Sequence, residues 1–221
     1  MAVITVSRQF GSGGDEIVDQ VCLLTGCRRF DKHLIAQAAI DAGLSEQEII
    51  DFSEEAFTGK SLIDRIVGRS RQVGQVTVWK KHMDGTPYAE AMPVSEEHAL
   101  SMVQKAIMAA YHQGDWVIVG RGGQALLKDF PDVLHVRIEA PLEDRIQRVK
   151  VQYKLERRPA QDLIIEKDEA SALYLKTFYN TDWADPGLYQ VIFNTGTLDL
   201  NLAGQFLVEM IGCLKTVSPA G

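Results

Sequence analysis

The chain has 221 residues, 46% of them hydrophobic, and a formal net charge of -7, which suits one domain with a real core and disfavours a broad basic face for nucleic acid. Its three cysteines, Cys22, Cys27 and Cys213, show no CxxC spacing, so neither a disulfide framework nor a zinc site is expected, and a reducing cytoplasm suits them. The opening residues have no signal-peptide pattern, and no apolar run nears the roughly 20 residues that span a bilayer.

Ala2–Val6 is a β-branched run that stops at a glycine-rich turn, and Ile17, Val18, Val21 and Leu24 then recur at helical spacing up to Gly26. Arg28–Phe30 reads as a second strand ending at Asp31, followed by helical patterns at Lys32–Ala42 and Ser45–Ser53. From about 55 to 95 the pattern is irregular. "TGKSL" at Thr58–Leu62 lacks the strand and first glycine of a phosphate loop and reads as a solvated turn, while "VTVWKK" and "MDGTPY" suggest a hairpin turning at Asp84–Gly85. Ser95 is placed to cap a helix with Ala99, Val103, Ala106 and Ala110 on one line. Strands are expected at Trp116–Gly120 and Val133–Ala140. Pro141 opens a helix with Leu142, Ile146 and Val149 on one face and Arg145 and Arg148 as neighbours on the other. A charged stretch, a last strand in "YQVIFNTG" and an amphipathic helix at Leu200–Leu214 complete the chain. Strands alternating with helices predict an α/β fold: a parallel sheet with helices on both faces and ligands beyond the carboxyl ends of the strands. Gly11–Gly14, Asp31, Arg121–Gly123 and Asn194–Gly196 each follow a predicted strand.

The segment "VSRQFGSGGDEI" has the outline of a phosphate loop. Gly11, Gly13 and Gly14 permit the backbone angles that turn N–H groups toward an anion, and the helix from Asp15 puts its positive end behind them. Two standard patterns fail. Glu16 stands at the third glycine of G-x-G-x-x-G. Placing the second glycine of G-x-x-x-x-G-K-[ST] on Gly13 puts Arg8 at the first glycine, Gly14 at the lysine and Asp15 at the hydroxyl. Taken alone, these residues also fit a plain glycine turn into a helix.

The chain resembles the cytidylate kinase-like family, a divergent branch near the nucleoside-monophosphate kinases with a P-loop NTPase-like sheet. The resemblance rests on "ITVSRQFGSGGDEI", "RRFDKHLI", "VIVGRGG", "VLHVRIEAPLEDRIQRV" and "YNTDWADPGLYQVIFNTG" in that order and covers nearly the whole chain, least over 55–95. That branch itself tends to write "SRQFGSGG" without the lysine.

The resemblance implies one nucleotide-kinase-like domain over 1–221, with an acceptor-side insertion at about 55–95 and a lid-like helical segment at about 150–180. It implies ATP as co-substrate, Mg²⁺ as cofactor and a small phosphorylated acceptor as partner. Gly11, Ser12, Gly13, Gly14, Asp15 and Glu16 would hold the ATP phosphates, with Ser12 or Asp15 helping to hold the metal. Arg8 is the nearest cation for the β- and γ-phosphates, and a structural arginine is the alternative. Arg121 would grip the acceptor phosphate, although Gly122 stands where classical relatives have an aspartate.

Asp31 would meet a base or sugar hydroxyl, or else cap a helix. His33 is assigned no chemistry. Arg145, Arg148, Arg157 and Arg158 resemble a lid's basic set, with surface pairing to Glu143, Asp144 and Glu156 as the alternative. Asp168 is followed by Ser171 where relatives have an arginine, and Lys176 is the cation in sequence that would compensate. Asn194 and Thr195 would lie beside the adenine, and Trp183 and Tyr189 are expected to pack rather than stack on a base. No nucleic-acid or membrane partner is expected, and the 55–95 region would serve as an acceptor clamp or an interface between two copies. A nucleotide sensor with little turnover and a kinase with a non-nucleotide acceptor are the competing expectations.

Overall fold

The computed structural model describes residues 2–30, 72–81 and 87–214. Asp31, His33, the helical patterns at 32–42 and 45–53, the 58–62 turn and the Asp84–Gly85 turn lie outside the described residues.

Strand β1 (Val3–Arg8) leads through a loop into helix α1 (Gly14–Thr25), then strand β2 (Arg28–Phe30). Strands β3 (Gln72–Lys81) and β4 (Pro87–Ser95) pair antiparallel as a separate two-stranded ribbon, which agrees with the expected hairpin. Helix α2 (Glu96–Gln113), strand β5 (Trp116–Val119), the short helix α3 (Gly123–Leu126), strand β6 (Val133–Glu139) and helix α4 (Leu142–Tyr153) follow. The chain continues through helix α5 (Arg157–Tyr179), a 3₁₀ turn at Pro186–Leu188, strand β7 (Val191–Asn194) and helix α6 (Leu200–Leu214).

Five strands form one parallel sheet in the order β2-β5-β1-β6-β7. From β1 the chain first builds toward β2, with β5 inserted between them, and β6 and β7 then extend the opposite side. The crevice at the carboxyl end of β1 is therefore where the winding reverses, the place such sheets offer a ligand. The central strands β1, β5 and β6 are buried on both faces, and β5 reads as a continuous apolar run. Ile4 and Val6 join Val136, Ile138, Ile17, Val18, Val21, Ala203 and Leu207 in the core on one face. Val3, Trp116, Ile118 and Val133 meet Val103, Ile107 and Ala110 on the other. Helices thus cover both faces, as the strand pattern predicts.

The second face turns polar toward the carboxyl end. Thr5 pairs in register with His135, and Ser7 with Arg137. His135 Nδ1 lies 2.7 Å from Thr5 Oγ1. Buried Arg137 donates to Glu139 and to the Trp183 carbonyl (2.6 Å) and lies over the Trp183 ring. The Trp183 indole N–H donates to Ser7 Oγ at 2.7 Å, and the Tyr189 hydroxyl donates to the Trp183 carbonyl at 2.9 Å. Trp183 and Tyr189 are therefore packing residues that close this face.

Burial lowers the His135 pKa from the ordinary 6.5, and the neighbouring Leu127 carbonyl offsets this only in part. The unfolded chain takes up the proton first, so stability should fall as pH drops through 6.5 and stay level above it. Thermal midpoints at pH 7.5 and 5.5 check this, with His135→Gln expected to flatten the difference.

One helix differs from expectation. In α4, Leu142 is 40% exposed and Arg145 takes the inward place beside Ile146 and Val149, at 7%. An inward carboxylate draws the arginine there, as the site shows. The charged stretch after α4 is a 23-residue helix, in the span where the resemblance implies a helical segment. It buries Ala160, Ile164, Ala170, Tyr174 and Leu175, and Pro159 falls in its first turn, where proline is tolerated. Its apolar stripe breaks at Lys167 and Asp168, which face the crevice.

Candidate active site

The loop between β1 and α1 is tightly enclosed. Gly11 (φ 77°) and Gly13 (φ 82°) hold left-handed conformations. A β-carbon on Gly11 would fall 2.7 Å from Val149 Cγ2, and one on Gly13 2.6 Å from Leu200 Cδ2. Gly13 caps α1 with no side-chain hydrogen bond. Ser12 N–H closes a turn on the Gln9 carbonyl (3.1 Å), and Ile17 N–H reaches Gly13. Among the described residues, no acceptor takes up the N–H groups of Gly11, Gly13 and Gly14. The Ser12 hydroxyl is buried without a hydrogen-bond partner among them. Orphan donors at a helix start, beside a buried hydroxyl, form a site that an anion would satisfy.

The loop carbonyls are engaged by arginines instead. Arg148 donates to Ser12 O (2.9 Å), Thr195 Oγ1 (2.9 Å) and Thr195 O (2.8 Å), and contacts Gly11 O at 3.5 Å. Thr195 Oγ1 donates to Ser12 O at 2.5 Å. Arg145 donates to Asp168 (2.5 Å) and touches Phe10 O, while Asp168 accepts Phe10 N–H at 2.9 Å. The loop is thus held by α4, α5 and the turn after β7 together.

Arg8, the last residue of β1, has its Nε 3.6 Å from Asp15 Oδ1, and Arg29 Nη2 donates to the same oxygen at 2.6 Å. Arg29 also donates to Asp19 at 2.5 Å. Burial would raise the Asp15 pKa, but Arg8 and Arg29 outweigh it and hold the carboxyl below its ordinary value.

Arg121 follows β5, 6% exposed, with a left-handed φ of 60° between Gly120 (67°) and Gly122 (69°). Such strain in a non-glycine residue clusters at functional positions. An aspartate at Gly122 would be strained, because φ is 69° and its β-carbon would fall 2.4 Å from Tyr179 Cε2, so the tyrosine ring would have to move.

A cleft of about 500 Å³ gathers these parts, lined by Arg8, the 11–16 run, Arg121 and Arg148. Among the described residues no cluster of three or more His, Cys, Asp or Glu could hold a metal. Arg145 stands behind the loop rather than on the cleft wall. Arg157 lies outside the cleft, 58% exposed, in a fork with Glu143 at 2.5 and 2.7 Å. Those hydrogen bonds hold the Glu143 carboxyl down at about 2. Its folded pKa is depressed, so the fork's contribution is present above pH 4.5 and lost as pH falls toward 2. Both groups face water. At pH 7, Arg157→Ala should leave turnover unchanged and lower the thermal midpoint only slightly, because both groups are exposed; lost turnover would mean that Arg157 leaves Glu143 during the reaction cycle. Asn194 is exposed and accepts Gly196 N–H at 3.0 Å. Lys176 is exposed and lies off the cleft, whereas Lys167 lines it.

Sequence reasoning missed Arg29, Lys167 and the loop-holding role of Asp168. Arg29 carries a faint signal, since it sits in a predicted strand just before a suspected site residue. Asp168 is marked by the family pattern, but its brace role carries no local signal, since it lies 158 residues from the N–H it caps.

A family model described as the cytidylate kinase-like family matches residues 3–197. The chain belongs to that family. Membership places this cytidylate kinase-like protein among phosphotransferases of the nucleotide-kinase kind. Its fold is similar to an uncharacterized protein from Eubacterium ventriosum, with TM-score 0.64 and 16% identity, covering 96% of this chain and 99% of the other. Shikimate kinase from Acinetobacter baumannii, solved with shikimate, matches at TM-score 0.45 and 12% identity, covering 99% and 96%. Shikimate kinase from Bacteroides thetaiotaomicron matches at 0.45 and 13%, covering 96% and 98%. Among curated proteins none matches the sequence. No described helix is long and apolar enough to cross a membrane.

Proposed function

We propose that this protein transfers the γ-phosphoryl group of ATP to a small phosphorylated acceptor, in the first instance a cytidylate-like nucleoside monophosphate. The observation that carries the reading is the set of uncommitted N–H groups at Gly11, Gly13 and Gly14, beside the partnerless Ser12 hydroxyl at the start of α1. An oxygen of the acceptor's phosphate attacks the γ-phosphorus, the bond from that phosphorus to the bridging oxygen breaks, and ADP leaves with the electron pair. The protein's work is to position both anions and meet the spreading charge. Arg121, which lines the same cleft as the loop, suits the acceptor phosphate, since a guanidinium fork matches two phosphate oxygens.

Mg²⁺ needs only one or two protein oxygens alongside phosphate and water, and the residues fit that modest demand. Ser12 Oγ is the better donor, because Asp15 Oδ1 is already shared by Arg8 and Arg29. When bound, the ion would neutralise charge on the β- and γ-oxygens. Thr195 and Arg148, which buttress the loop, stand on the side proposed for the adenine.

A second reading, a nucleotide sensor with little turnover, draws on Gly14 at the lysine position and on Asp15 beside Arg8. The space taken by Tyr179 at Gly122 leaves room for a third, a non-nucleotide acceptor. Calorimetry with Mg·ATP, followed by ADP release over a panel of phosphorylated acceptors, separates them. Turnover with one acceptor class supports the kinase. Binding with no turnover on any acceptor supports the sensor, and no binding sinks both.

A further inference from the structure

The structure gives a physical reason for the missing lysine. A β-carbon on Gly14 would lie 2.7 Å from Arg8 Cβ and 3.0 Å from Arg8 Cγ. Side-chain Cβ atoms do not approach so closely, and Arg8 Cβ is fixed to the end of a central strand. An arginine at 8 and a side chain at 14 therefore exclude each other. In the ordinary phosphate-loop pattern the occupancy is the reverse, with glycine at the first of these positions and lysine at the second.

Arg8 also has the makings of a working cation. It lines the cleft beside the loop. Its Nε is buried with no hydrogen-bond acceptor among the described residues, and its nearest carboxylate oxygen is 3.6 Å away, on Asp15. That oxygen is drawn to Arg29 at 2.6 Å, so Asp15 holds the guanidinium by charge without fully occupying its donors. Arg8 is rooted in β1 between β5 and β6, which fixes where its side chain starts.

We propose that positions 8 and 14 have exchanged roles: Arg8, rooted in the strand, brings to the β- and γ-phosphates the positive charge that a helix-borne lysine brings in the ordinary loop. This rests on the phosphate-loop reading above. Asp15 and Arg29 are positioning residues that hold Arg8 at the cleft until the polyanion arrives. A fork in place of a point charge engages two oxygens at once, so the exchange also favours a ligand with adjacent phosphates.

The test compares ATP and ADP affinity by calorimetry with Mg²⁺, which needs no acceptor. The wild type should prefer ATP. Arg8→Gln should reduce that preference at least about ten-fold, as expected for removing a charge-assisted contact, while the thermal midpoint stays near wild type. Gly14→Lys alone should lose both nucleotide affinity and thermal stability. The double variant Arg8→Gly/Gly14→Lys should recover both, a strong non-additivity confined to this pair. If the wild type binds neither nucleotide, the phosphate-loop reading itself fails. If it binds both and Arg8→Gln leaves the ATP preference intact, the loop reading stands and the role of Arg8 is overturned. A double variant no better than Gly14→Lys alone overturns the exchange.

Discussion

Arg121→Ala is expected to lower acceptor-dependent phosphoryl transfer by about a hundred- to a thousand-fold, the scale of losing one preorganised charge donor, while ATP affinity stays within about two-fold. The separation follows from position. Arg121 belongs to the turn after β5, whereas the loop amides belong to the turn after β1, so removing one guanidinium leaves the other cradle intact. The effect is large because Arg121 is only 6% exposed, and charges in a water-poor crevice interact strongly. Two further variants sharpen the test. Arg121→Lys keeps the charge but loses the fork, and should fall between wild type and alanine. Arg121→Gly relieves the left-handed backbone at φ 60° and should be more heat-stable than alanine yet equally inactive. Steady-state kinetics with a coupled ADP assay give the rates, and calorimetry gives the ATP affinity. Alanine and wild type turning over alike would remove Arg121 from the acceptor site.

Asp168→Ala should produce the largest loss of stability. The carboxylate accepts Phe10 N–H with one oxygen and the Arg145 guanidinium with the other. Arg145 is 7% exposed and its Nε already lacks a partner, so the variant strands a buried charge and an amide together. Breaking one side of such a pair costs about 3 kcal/mol, which in a domain of this size lowers the thermal midpoint by roughly 6–12 °C. Asp168→Asn should lose less, because its amide oxygen still accepts from Phe10. Nucleotide affinity should fall with stability, since Phe10 adjoins the cradle. Differential scanning calorimetry reads the first effect and ATP titration the second. A midpoint shift under 2 °C would mean that the Arg145–Asp168 pair does not hold the loop.

What the sequence disclosed and what it hid divide along a physical line. The sheet was legible because a strand buried on both faces is continuously apolar, as "WVIVG" is, and because "VLHVRIEA" still alternates Leu134, Val136 and Ile138 with its polar residues. The crevice was legible because glycines and an arginine follow those strands in turn. Leu200–Leu214 was legible because one face packs on the sheet and the other meets water. Helix α5 was legible through the resemblance but not from its residue pattern, since its stretch is charged and contains a proline and only Ala160, Ile164 and Tyr174 turn inward at helical spacing. The inward turn of Arg145 could not be read from period alone, because it depends on Asp168, a partner 23 positions away. The glycine at 14 reads in sequence as a trait of the branch without a cause, and the position of Arg8 Cβ makes it a steric requirement.

The braces of the cradle come from far along the chain: Asp168 lies 158 residues beyond Phe10, and Thr195 lies 183 beyond Ser12. Local turn chemistry can sketch the glycine bend as soon as it leaves the ribosome, but closing such long chain segments carries an entropy cost that must be met before the braces engage. At a synthesis rate of roughly 5–20 residues per second, the bend waits about 10–40 seconds for its last brace to emerge. A nascent chain stalled short of Thr195 should therefore have its first strand and helix yet fail to retain a nucleotide, and ATP added during translation should stabilise only chains that have passed that point.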